Sequence, residues 1–205
     1  MIVLTFKLAF IIFLFLSPIV FFILKNNYNN DKGKLFFSML LYFYFVCLTN
    51  YTIFPIDFLM ASEFSQLVNF WNNINLIPIP FTNQLNIISK HIILNIIMSI
   101  PFGIIICLIS KKRLTLKKTI FIGLFYGTAI EIIQLSIGIC IKYLYRSIDI
   151  NDIIFNTIGT IIGYLLFKYL ISKIYLKLIE NLDLDIKSST ILTYIKKICN
   201  YYHNC

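Results

Sequence analysis

The chain of 205 residues is 59% hydrophobic and 17% aromatic, with 13% charged residues and a formal net charge of +9. A soluble domain of this length carries roughly 45–50% apolar and about 25% charged residues, so a mean hydropathy of +0.84 excludes that class. The composition equally excludes a disordered chain, a collagen-like repeat and a disulfide-rich secreted scaffold.

A bilayer core takes about 20 predominantly apolar residues per helix. In chain order, residues 2–24, 35–54, 91–109, 119–139 and 153–172 meet that requirement. The expected fold is therefore all-α, a polytopic membrane bundle of about five transmembrane helices. The first segment exceeds the 7–15 apolar residues of a secretory signal, and no small-x-small cleavage site follows it, which predicts a retained anchor. The organisation that results is an anchor with its first loop over 1–34, a bundle over 35–172 and a basic tail over 173–205.

Lys and Arg resist translocation and accumulate on the cytoplasmic side. Lys25, Lys32 and Lys34 lie in the first loop, Lys111, Lys112, Arg113, Lys117 and Lys118 in the third, and Lys173, Lys177, Lys187, Lys196 and Lys197 in the tail. The second and fourth loops carry only Lys90, Lys142 and Arg146. This asymmetry predicts an N-terminus outside, a cytoplasmic C-terminus, and outward-facing loops at 55–90 and 140–152. Basic residues that flank spans in this way meet anionic lipid, and no recognisable nucleic-acid module accompanies them. The expected partners are thus membrane lipids and not nucleic acid. Cys47, Cys107, Cys140, Cys199, Cys205, His91 and His203 show no metal-ligand spacing, and no phosphate loop or nucleophile motif occurs, so neither a cofactor nor a metal is expected. Oligomeric state is not legible, because a glycine stripe pairs helices within one chain or between two.

The acids carry the main functional signal. An ionisable group inside a span is costly and normally faces the bundle interior with a partner or a task. Gly123, Gly127, Glu131, Gln134 and Gly138 recur at helical spacing along the fourth segment, and Asp149, Asp152, Asn156, Gly159 and Gly163 form a second stripe, with Arg146 as its outlying member. His91, Asn95, Ser99 and Gly103, each four apart, add a third. Glycines four apart let helix backbones approach closely in lipid, so the last three spans are expected to pack together, sealed by Gly123, Gly127, Gly159 and Gly163. A polar pocket at the outer end follows, with Asn95, Gln134, Arg146 and Asn156 as binding residues and Glu131, Asp149 and Asp152 as the catalytic set if the protein is an enzyme. The competing expectation is a purely structural network, in which Arg146 pairs with Asp149 or Asp152, Asn156 bonds Gln134, and a protonated Glu131 bonds a backbone carbonyl.

These residues resemble the VanZ-like family. The resemblance rests on NLIPIPF at 75–81, LN at 94–95, PFG at 101–103, EIIQ at 131–134 and RSIDINDIIFNTIGTIIGY at 146–164, and it covers roughly 48–170. The NLIPIPF segment carries Ile79-Pro80 where the family usually runs NLIPF directly. The resemblance implies a multi-pass protein of the bacterial cytoplasmic membrane, and its namesake is linked to resistance to glycopeptides of the teicoplanin type. A lipid-linked cell-wall precursor or a lipoglycopeptide is then the expected ligand. Three functions compete: a non-catalytic envelope protein that binds an amphiphile, an intramembrane enzyme acting on a lipid-linked substrate through Glu131 and Asp149 or Asp152, and a transporter. The loop at 55–90, with Trp71, suits the outer interface and could fold over the pocket. The tail suits a short helix on the inner leaflet or a disordered segment.

Overall fold

A computed structural model of the chain describes residues 3–4, 6–28, 31–53, 56–57, 74–78, 85–141, 146–181 and 189–203. Strand β1 (Val3–Leu4) precedes helices α1 (Phe6–Asn27) and α2 (Lys32–Thr52), and short strands β2 (Ile56–Asp57) and β3 (Ile74–Asn75) follow. Then come α3 (Leu85–Ile109), α4 (Leu116–Ile141), strand β4 (Ile148–Asp149) and α5 (Ile150–Leu166). A π-helical segment (Phe167–Ile171) continues α5 into α6 (Ser172–Asn181), and α7 (Thr190–His203) ends the chain.

The helices begin where local chemistry satisfies their free N–H groups. Asp31 caps α2 by accepting from Lys34 N at 3.1 Å, and Thr115 Oγ1 accepts from Lys118 N at 3.4 Å before α4. Four helical stretches are long and apolar enough to cross a bilayer: Lys32–Thr52, Ile92–Ile109, Leu116–Ile141 and the continuous 32-residue Ile150–Asn181. Helix α1, with 22 residues, is the fifth candidate span. Phe15 and Phe125 are each 77% exposed and Phe121 is 72% exposed. In water such a surface would be a sticking patch, whereas against acyl chains it is the expected exterior.

Helix α5 is the hub. Its longest interfaces are with α3 and then α4, while α2 packs on α3 and α1 on α2. The glycines set these distances, as their spacing predicts. A Cβ on Gly159 would overlap the Ile96 carbonyl oxygen, and one on Gly163 would overlap that of Ile100, so these two admit α3. On the other side, a Cβ on Gly127 would lie 3.0 Å from Ile153 Cα, and one on Gly123 3.1 Å from Thr157 Cα, so this pair admits α5 to α4.

Over its described residues the tail is helical, and one face of α7 packs against the bundle. Helix α7 turns Tyr194, Ile198, Cys199 and Tyr202 into the basic end of the bundle, where they pack with Phe37, Cys107, Leu108, Leu114, Tyr164 and Phe167. Tyr194 Oη donates to the Leu108 carbonyl at 2.6 Å, and Tyr202 Oη accepts from Leu114 N at 3.1 Å. The π-helical segment presents Phe167, 1% exposed, edge-on to Tyr202 at 5.2 Å. A second cluster in mid-bundle joins Leu48, Phe102 and Tyr126. There Tyr44 Oη lies 2.7 Å from Tyr126 Oη and donates to the Met98 carbonyl at 2.9 Å.

Candidate functional site

The polar stripes meet at the end of the bundle opposite α7. On α4, the face expected to carry the small and polar residues is buried as a unit, with Glu131 3% and Gln134 6% exposed. On α5, Asn156, Gly159 and Gly163 are buried while Asp152 is half-buried above them.

One part of the expected stripe is not helical. Helix α5 starts at Ile150, and Asp149 is its N-cap with extended backbone (φ −132°, ψ 123°). The reason is local: an Asp side chain at this position offers an acceptor to the orphan N–H groups of the first turn, and Asp149 Oδ1 takes Asn151 N at 2.8 Å. Arg146 and Ser147 therefore approach the helix as a bend and not as a preceding turn.

Each polar side chain has a defined partner. The backbone N–H of Asp149 donates to Glu131 Oε2 at 3.1 Å, which ties the middle of α4 to the start of α5. Asn95 Nδ2 of α3 donates to Asp152 Oδ1 at 2.5 Å, and Ser99 Oγ donates to Asn156 Oδ1 at 2.8 Å. Gln134 Nε2 donates to the Thr52 carbonyl at 3.0 Å, and an Arg146 guanidinium nitrogen donates to the Tyr51 carbonyl at 2.8 Å. These last two bonds occupy carbonyls at the C-terminus of α2, which have no partner within their own helix.

The expected structural network is thus wired differently. Arg146 bonds α2 backbone, Asn156 bonds Ser99 and not Gln134, and Glu131 accepts from an N–H where a bond to a carbonyl was the alternative. Glu131, Asp149, Asp152, Asn95, Gln134, Arg146 and Asn156 are all drawn into the region where α2, α3, α4 and the start of α5 meet. The side chain of His91 lies outside the described residues, as do Trp71 and the Ile79-Pro80 pair.

Asn75 is the residue that pattern reading missed as a participant. Strand β3 runs parallel to β4 with Asn75 opposite Asp149, and Asn75 Nδ2 donates to Asp149 Oδ1 at 3.2 Å. Of the loop at 55–90, strand β3 thus reaches the site, whereas β2 pairs with β1. Asn75 opens the NLIPIPF motif, and an Asn at the head of that motif was the available signal. Ser99 was seen only as a member of a stripe, although its hydroxyl lies against Asn156.

Chemically, three carboxylates and one guanidinium converge at a helix N-terminus within a low-dielectric surround. Such a cluster can receive cationic, hydroxyl and amide groups, with Arg146 set at its margin for an anion. Among the described residues no three His, Cys, Asp or Glu side chains are grouped to hold a metal ion.

Comparison with curated proteins and with solved structures finds no match. The VanZ/LLP1 family matches residues 41–172, a stretch that starts within α2, ends at the first residue of α6 and holds every residue of the polar cluster. With more than half of its length matched, and with apolar helices enough for several crossings, the chain is a multi-pass membrane protein that belongs to the VanZ/LLP1 family.

Proposed function

We propose that the polar cluster is an outward-facing recognition site of the bacterial cytoplasmic membrane for an amphiphilic envelope ligand, a lipoglycopeptide or a lipid-linked cell-wall precursor, and that the protein contributes in this way to glycopeptide resistance. The observation that carries this reading is the tethering of three carboxylates by separate elements: Glu131 by the Asp149 amide, Asp149 by Asn75 and Asn151, and Asp152 by Asn95. Pre-organised acceptors of this kind bind amines and sugar hydroxyls without first ordering the site. Arg146 suits an anionic group of the same ligand. Basic residues concentrated at the other end of the bundle support the outward orientation.

Two measurements test it. Single cysteines at Ser147 and Lys112, in a cysteine-free background in intact cells, are expected to react with an impermeant maleimide at Ser147 and not at Lys112. Expression in a susceptible host is then expected to raise the teicoplanin concentration needed to stop growth, and Asp149→Asn to remove that protection. Labelling of Lys112 in place of Ser147, or protection that survives Asp149→Asn, would overturn the proposal.

A catalytic reading draws on the burial of Glu131 beside two further carboxylates, an arrangement suited to acid–base chemistry. Glu131→Gln separates the two readings. It keeps size and an acceptor oxygen at this buried position and removes proton transfer, so a binder should be only mildly weakened, whereas an enzyme should still bind and no longer turn over.

A further inference from the structure

At the basic end, the last turns of α1, the first turns of α2 and the start of α7 enclose a groove of about 710 Å³. Lys25 and Lys32 flank it with Tyr28, while Phe21, Leu35, Phe36 and Met39 supply its apolar wall and Ser189, Thr190 and Ile191 close one side. Both lysines are exposed, and among the described residues no Asp or Glu lines the groove.

The groups are layered along the axes of α1 and α2. Helix α1 runs toward this end, so Phe21 sits about 6 Å deeper than Lys25, and α2 runs away from it, so Leu35, Phe36 and Met39 sit about 4–10 Å deeper than Lys32 at 1.5 Å per residue. Phe21 and Phe36 are 44% and 47% exposed, which leaves the apolar wall open sideways to acyl chains. On the cationic level, Ser189 Oγ accepts from Leu192 N at 3.4 Å at the start of α7, whose first N–H groups carry the positive end of the helix dipole. A cationic layer over an apolar one, with no acid among the described residues that line it, matches a phosphate headgroup above its own hydrocarbon.

We propose that this groove holds one anionic phospholipid, with its phosphate between Lys25 and Lys32 beside the first turn of α7 and its upper acyl chain along Phe21, Leu35, Phe36 and Met39. The site lies at the other end of α2 from the carboxylate cluster and does not depend on the function proposed for that cluster.

The test uses the full chain purified in a neutral detergent and native mass spectrometry with added phosphatidylglycerol, phosphatidylcholine or inorganic phosphate. The expected result is retention of a single phosphatidylglycerol with at least tenfold preference over phosphatidylcholine, reduced about tenfold or more in Lys25→Gln/Lys32→Gln. Lys117→Gln/Lys118→Gln, which removes the same charge outside the groove, is expected to bind as the unaltered chain does. Met39→Trp, which fills the groove and keeps both lysines, is expected to bind severalfold more weakly while eluting as the same folded species. Equal retention of the two lipids, equal losses in the two lysine pairs, undiminished binding in Met39→Trp, or displacement of phosphatidylglycerol by millimolar inorganic phosphate would each overturn the assignment.

Discussion

Gly163→Ala is the sharpest probe of how the bundle is assembled. A Cβ at this position would overlap the Ile100 carbonyl oxygen and come within 2.9 Å of Gly103 Cα. Both neighbours are backbone, so no rotamer change relieves the contact and α3 must move away from α5. Overpacking of this kind costs about 1–3 kcal/mol, while replacing Gly by Ala in a helix returns about 0.5–1 kcal/mol. The two ranges give a net loss of about 0–2.5 kcal/mol, and the depth of the overlap with backbone puts Gly163 near the upper end, at about 2 kcal/mol. Gly123→Ala is the matched control, because its Cβ would meet Thr157 Cα and Cγ2 at 3.1 Å, a contact relieved by a shift of a few tenths of an ångström. There the two contributions nearly cancel, and stability should change by less than about 0.5 kcal/mol. Titrating the protein in neutral micelles with sodium dodecyl sulfate and following helicity by circular dichroism measures both. A Gly163→Ala protein as stable as the parent, or a larger loss at Gly123 than at Gly163, would refute the account of α3 seated on the α5 glycines.

Three further outcomes follow from particular contacts. Ser99→Ala leaves Asn156 Oδ1, on a residue 3% exposed, without its 2.8 Å donor, and should cost about 1–3 kcal/mol in the same titration; a negligible cost would instead put the Ser99 proton on the Asn95 carbonyl, also 2.8 Å away. Gly33→Ala drives a Cβ into the Tyr194 ring, so α7 should loosen and trypsin should cut at Lys196 and Lys197 severalfold faster; unchanged cleavage would contradict the docking of α7 on α2. Burial pushes the Cys199 thiol up from its ordinary 9.0 to about 12, and chiefly burial pushes the Tyr194 phenol up from 10.0 to about 12. Both groups ionise first in the undocked chain, so their contribution to docking is complete below about pH 9 and is lost as the pH rises from 9 toward 12. Maleimide labelling of Cys199 should accordingly be slow at pH 7–8 and accelerate in that alkaline window beyond the rise expected for an exposed thiol; fast labelling at pH 7 would refute the buried placement.

Much of this architecture was legible along the chain because a bilayer removes alternatives. With no water to satisfy backbone groups, each apolar run of about 20 residues has to be a helix, and the expected segments fall on α1 to α5 with shifts of a few residues at their ends. Small and polar residues three and four apart must then share a face, so the burial of Gly123, Gly127, Glu131, Gln134 and Gly138 and the seating of Gly159 and Gly163 could be anticipated. Where the periodic argument was carried too far, at Asp149, a local preference overrode it: an Asp satisfies more N–H groups as a cap than inside a first turn.

What periodicity along single helices could not supply was partner choice. Nothing in the spacing of α4 says that Gln134 bonds the Thr52 carbonyl, that Arg146 bonds that of Tyr51, or that Asn75 crosses to Asp149, because these bonds join residues 82, 95 and 74 positions apart. The same holds for α7, whose apolar face would suit a leaflet as well as the bundle end that it occupies. Sequence by itself determined which residues enter the membrane and which faces turn inward, since burial energy is read locally at 3.6 residues per turn. Only the tertiary structure decided which acceptor each buried donor meets, because that depends on which helix ends are brought together and which of their carbonyls are left open.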